Sequence, residues 1–222
     1  MDVVSLIQLS DCEAVGGGWL KQPANAWSSL SFAAVGVALA ATVGRVDDSE
    51  RATRLGLAAL LVATGLGSFL FHGPQPSSAQ YLHDVTFLAA LWFLIAVNLG
   101  GAFGISGRTT AIAAIAGIVA IGLAVAVADG LTNALAAILI VALLASDIAM
   151  WRQARPDPRW YGIAVAALIL GMGLFVAGRT GSALCDPDTL LQGHAGWHVF
   201  AAIFLGAYFV ATTPARTGSA PQ

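Results

Sequence analysis

Apolar residues run along this chain in long uninterrupted blocks rather than at strand or amphipathic-helix spacings. Seven blocks approach the roughly 20 residues that, at about 1.5 Å per helical residue, cross a hydrocarbon core of about 30 Å. They fall near 24–43, 53–72, 82–99, 110–128, 131–151, 161–178 and 190–212. Helix is the form expected, because lipid offers no partner to open backbone groups. The blocks are parted by short breakers: Gly73-Pro74, Ser106-Gly107, the Asp129-Gly130 junction, and Pro156 with Pro158. The pattern predicts an all-α integral membrane bundle of seven transmembrane helices, one domain over 1–213, with a disordered tail over 214–222.

Composition agrees: the 222 residues are 58% hydrophobic and 10% charged, with mean hydropathy +0.80 and a formal net charge of −2. No basic run or aromatic-basic stripe is present, which excludes a nucleic-acid partner. The N-terminus lacks the positive region and cleavage site of a signal peptide and is expected to be retained. Counting spans assigns Arg45, Arg51, Arg54, Arg108, Arg152, Arg155, Arg159 and Arg216 to one side and only Lys21 and Arg179 to the other. Lys and Arg gather in cytoplasmic loops, so the N-terminus is expected outside and the C-terminus inside. Arginine far outnumbers lysine, alanine is abundant and loops are minimal, which suggests a bacterial plasma membrane. The two cysteines, Cys12 and Cys185, then share the outer side, where an oxidising compartment allows a disulfide; two free thiols is the alternative.

All four histidines, His72, His83, His194 and His198, fall at the outer ends of spans two, three and seven. His194 and His198 are four residues apart and share a helix face. With His72 at the same depth they supply three imidazoles, and three histidines with an open fourth position are a catalytic type of zinc site. Polar groups inside a bilayer usually face the bundle interior and serve a site. Ser68 lies one turn before His72, and Asp84 opens span three at the outer level. The alternatives are a serine back-bonded to its own helix and a helix-start carboxylate favoured by the macrodipole. His83, adjacent to Asp84, points about 100° away and is left out of the metal shell. Asn25 and Ser28 share a face at the start of span one, either as ordinary helix-start residues or as polar groups that meet a substrate. Asp147 is read as interfacial and Asp129 as a loop residue.

"GLGSFLFH" followed by "LHDVTF", the pair "HAGWH", and "DCE" with "NAWSSLSF" near the front together resemble the alkaline ceramidases. More broadly they resemble the seven-span membrane hydrolases that include adiponectin-receptor-like and haemolysin III-like proteins. The resemblance covers spans one, two, three and seven and the first outer segment. It implies zinc on His72, His194 and His198, catalytic Ser68 and Asp84, and a pairing of Cys12 with Cys185. It also implies Ca²⁺ near Asp11, Glu13 and Asn25. Departures accompany it: the ceramidases carry a glutamate three residues before the asparagine, where Gln22 stands here. The loop "AVGGGWLK" is shorter, and the His72-to-Asp84 stretch is one residue longer.

The expected activity is zinc-dependent hydrolysis of a linear amide in a membrane lipid, with an N-acyl lipid of the ceramide type leading. Water activated by zinc would attack the carbonyl, Ser68 would stabilise the developing oxyanion, and Asp84 would carry the proton to the leaving amine. The rival is a receptor-like or structural protein whose zinc only locks helices together, with Asp84 as a fourth ligand. A transporter would show broken helices and inverted repeats, and neither is visible. The oligomeric state is not legible.

Overall fold

The computed structural model describes residues 11–128, 130–151, 155–182 and 184–217; Asp129, Arg152 and the tail from residue 218 lie outside it, as do the side chains of Ser49 and 214–217. Among these residues the chain forms seven long helices. They are α1 (Pro23–Ala41), α2 (Asp48–His72), α3 (Ala79–Ala102), α4 (Gly107–Val127), α5 (Thr132–Trp151), α6 (Pro158–Ala177) and α7 (Gly193–Thr217). Each contains a stretch long and apolar enough to span a membrane. The molecule is an all-α membrane bundle.

Helix boundaries follow local chemistry. Asp157 accepts from the N–H groups of Arg159 and Trp160, with Pro158 at the first position of α6, and Ser106 accepts from Thr109 N–H to start α4. The start of α1 is different. Gln22 provides no side-chain cap, and the Glu13 carboxylate, far back in the chain, accepts from Ala24 N–H at 2.7 Å and Asn25 N–H at 2.8 Å. Asn25 and Ser28 therefore do not serve as the expected caps. α7 begins at Gly193, three residues after the apolar block, because Gln192 turns back to donate to the carbonyls of Asp186 and Thr189. It continues past Pro214 to Thr217, beyond the boundary the sequence suggested.

Within lipid there is no hydrophobic drive between helices, so association depends on close packing and interhelical hydrogen bonds. α7 is the central element: two thirds (67%) of its apolar window is buried, against 17% for α4 and α6. It packs against α1 and α6 and touches α2 and α3; α2 packs on α1 and α3, and α3 also carries α4 and α5. Leu57 and Leu61 from α2, Leu91 and Leu94 from α3, and Leu205 and Phe209 from α7 form the centre of the core. Where α6 ends and α7 begins, Gly178 and Gly193 lie against each other. A Cβ on Gly193 would sit 2.5 Å from the Leu174 carbonyl oxygen, so only glycine lets His194 follow at this depth.

α5 and α6 do not pack along their length; α5 leans on α3 and α6 on α7. They meet near the end remote from the histidines, where Tyr161 O–H donates to Asp147 Oδ2 at 2.8 Å and the Trp151 and Tyr161 rings lie 5.5 Å apart. Tyr208 of α7 donates to Asp147 Oδ1, and Asn98 of α3 donates to the hydroxyls of Tyr208 and Ser146. Asp147 is 3% exposed, so it is a buried junction of four helices and not the interfacial residue the sequence suggested. Asp147→Leu would strand buried hydroxyl donors, each worth about 1–3 kcal/mol when left unsatisfied. A fall in thermal stability in detergent is expected, much smaller for Asp147→Asn, whose amide oxygen can still accept from one tyrosine.

Candidate metal centre

α2 carries Ser68 and His72, and α7 carries His194 and His198, each pair one turn apart on one face. The two faces meet. Ring centroids are 5.1 Å apart for His72 and His194, 5.1 Å for His72 and His198, and 4.5 Å for His194 and His198. All three are buried, and one ring nitrogen from each lies within 4.8 Å of the others, close enough to serve one ion. No fourth histidine, cysteine or carboxylate joins them among the described residues. His83 stays outside the group, as its position beside Asp84 predicted.

The hydrogen bonds around the rings decide which nitrogen each can offer. Gln22 Nε2 donates to the Glu13 carbonyl at 2.9 Å, which turns its Oε1 toward His72 Nδ1 at 2.8 Å. An amide oxygen only accepts, so Nδ1 holds the proton and Nε2 keeps its lone pair. Ser28 and Ser29 both donate to the Asn25 carbonyl, at 3.0 and 2.7 Å. Having spent their protons, they accept from His198 Nδ1, which lies 3.0 and 3.3 Å away. His194 Nδ1 lies 3.2 Å from Asp11 Oδ1, a close contact without the alignment of a hydrogen bond. Nε2 is thus the nitrogen left free on His72 and His198, while on His194 neither ring nitrogen has a hydrogen-bond partner. On His72 and His194 Nε2 is buried without a hydrogen-bond partner, a state that native interiors avoid and a cation would relieve. The donor set and its supports fit a divalent ion of the imidazole-preferring kind.

These supports come from a segment that is pinned in place. Cys12 and Cys185 form a disulfide. Cys12 N–H donates to the Gly178 carbonyl, Ala14 N–H to the Pro187 carbonyl, and Thr180 O–H to the Asp11 carbonyl. Gln22 N–H donates to the His72 carbonyl, which ties the start of α1 to the end of α2. Burial pushes the Glu13 carboxyl up from its ordinary range, against the Asn25 and Ala24 N–H groups that hold it down.

A cavity of about 300 Å³ adjoins the histidines. Ser68, His194 and His198 lie on its wall with Asp84, and α5 and α6 contribute Ile140, Met172 and other apolar side chains. Ser68 Oγ is 2.8 Å from Ser29 Oγ and 3.4 Å from His198 Nε2. Asp84 accepts from His83 Nδ1 at 2.7 Å and Thr132 O–H at 2.8 Å, so each of its oxygens already holds one partner on the cavity wall. Asn25 and Ser28 do not line the cavity; they stand behind His198. Of the residues the resemblance implies for calcium, Asp11 turns to His194 and Glu13 caps α1, while the buried Asn25 amide has no hydrogen-bond partner.

Sequence reasoning passed over Ser29, Thr132 and Arg179, and saw Gln22 only as a departure. Ser29 carried a faint signal, as a second hydroxyl one residue from Ser28. Loss of one imidazole support is expected to weaken metal binding 10- to 100-fold. Gln22→Leu therefore predicts that a chelator of intermediate strength strips the ion at a lower concentration than from the parent protein, read as bound metal after dialysis. Comparison with protein-family models, with curated proteins and with solved structures finds no match to this chain.

Proposed function

We propose that this protein is a zinc-dependent lipid amide hydrolase of the ceramidase-like kind, cleaving an N-acyl lipid into a fatty acid and an amine. The observation that carries the reading is the three-nitrogen donor set with no fourth protein ligand among the described residues, set against a largely apolar cavity whose wall includes a hydroxyl and a carboxylate. A purely structural zinc usually closes all four positions with protein ligands. Here Asp84 is held by His83 and Thr132, and Asp11 stands against the outer nitrogen of His194 and does not join the three-nitrogen set. The unpacked seam between α5 and α6 gives an acyl chain a way in from the lipid. The eight-to-two division of basic residues supports a site facing the exterior.

His72, His194 and His198 would hold zinc through neutral imidazoles, and the ion would supply an activated water as nucleophile at neutral pH. The chain's own groups do the rest. Ser68, whose proton is lent to Ser29 in the resting arrangement, turns its O–H to the substrate carbonyl oxygen as charge builds there. Asp84 takes the proton released by the attacking water and passes it to the departing nitrogen. Gln22 and the Ser28–Ser29 pair keep His72 and His198 in the tautomer that leaves Nε2 for the metal, and Asp11 stands beside the His194 ring. The test is release of fatty acid from N-acyl sphingoid lipids by the zinc-loaded protein, lost on chelation and restored by zinc. Retained zinc with no turnover of any N-acyl lipid would favour the structural alternative.

A further inference from the structure

By helix order, the histidine-bearing end of the bundle has only two Lys or Arg residues, Lys21 and Arg179, and Arg179 alone among them lines the cavity. It follows α6 directly. Its guanidinium lies over the Phe175 ring, 4.4 Å from the centroid, and its backbone is bridged to Asp11. The side chain is about one third (32%) exposed. Its one charge partner among the described residues is Asp11, at 3.9 Å, too long for a hydrogen bond. The same Asp11 oxygen is closer to His194, at 3.2 Å. The guanidinium, on a residue of the cavity wall, thus has no side-chain hydrogen bond among the described residues and is separated from a metal-site ring by a single carboxylate oxygen. Ring stacking holds it there in advance, so little ordering cost remains when an anion arrives.

We propose that Arg179 recognises a carboxylate on the headgroup of the substrate, making the preferred class an N-acyl amino acid rather than a neutral N-acyl sphingoid. This inference rests on the hydrolase reading for the word substrate and on the cavity alone for the binding. A single guanidinium beside Asp11, in a cavity whose wall also carries Asp84, suits a monoanion, and the two carboxylates disfavour a dianionic phosphate. The short reach from Arg179 through Asp11 to His194 places a headgroup carboxylate only a few bonds from the scissile amide, as in an N-acylglycine. The apolar wall from α5 and α6 takes the acyl chain.

The test measures equilibrium binding, independent of turnover, to zinc-loaded Ser68→Ala protein in nanodiscs. The probes are N-dodecanoylglycine, its methyl ester and N-dodecanoylethanolamine. The acid is expected to bind about tenfold more tightly than either neutral probe, one charge-assisted contact being worth enough for that ratio. Arg179→Gln should bring the ratio to about one, and Arg179→Lys should keep part of it. Equal binding of the acid and its methyl ester overturns the proposal with no reliance on how any Arg179 variant folds. A preference that survives Arg179→Gln overturns it as well, by assigning the carboxylate to the metal. Failure to release fatty acid from any lipid would end the hydrolase reading and leave the binding ratio standing.

Discussion

His72→Ala protein purified in the presence of zinc is expected to carry almost no bound metal, against near-stoichiometric binding by the parent chain. Among the described residues His72 is the one candidate ligand that α2 supplies, and its ring is fully buried with Nε2 aimed at no protein partner. Removing a supporting residue costs 10- to 100-fold in affinity, and removing a ligand itself costs more. The loss should also appear as stability. An ion that binds only the folded state at a thousand times its dissociation constant contributes about 4 kcal/mol, so the thermal transition of the parent should rise with added zinc and that of the variant should not. His194→Ala should behave alike, since its loss leaves two rings from different helices. Metal content equal to the parent in both variants would remove the metal centre and the hydrolase with it.

Ser68→Ala should separate chemistry from metal binding. Loss of one donor to a developing oxyanion costs about 2.7–4 kcal/mol, which predicts a fall in kcat of roughly 10²- to 10³-fold with KM little changed. Bound zinc should stay at the parent level, because Ser68 meets the ring cluster only through a 3.4 Å contact to His198 Nε2. A different outcome would follow if Ser68 merely braced Ser29, which it meets at 2.8 Å. Metal affinity would then fall while turnover of the loaded protein held. Measuring both quantities on one preparation distinguishes the two roles.

Spacing made part of this site legible before any coordinates. Ser68 with His72, and His194 with His198, repeat at one helical turn inside apolar blocks, where polar groups stand out against their surroundings. The cysteines were legible through topology, and the structure joins them. What escaped detection depends on contacts between distant segments. Thr132 reaches Asp84 across 48 positions of sequence, and Ser29 reaches His198 across 169. Neither follows from periodicity within one helix. Thr132 and Arg179 border spans that read only as hydrophobic, so nothing in the blocks beside them suggested a role. Asp147 was misjudged because its position near a helix end resembles an interface, whereas Tyr161 and Tyr208 from two other helices enclose it. Glu13 is the mirror case: an acidic residue suspected of binding a cation spends its oxygens on the first turn of α1.

The Cys12–Cys185 bond closes a strap that holds Asp11 beside His194 and Glu13 under α1. Cutting that strap with a reductant would let both carboxylates drift from their posts while leaving every zinc ligand chemically intact. Zinc should then leak from the protein faster in dithiothreitol than in buffer, with Cys12→Ser reproducing the leak without any reductant. A bond that touches none of the three rings would in that way govern how long they keep their ion.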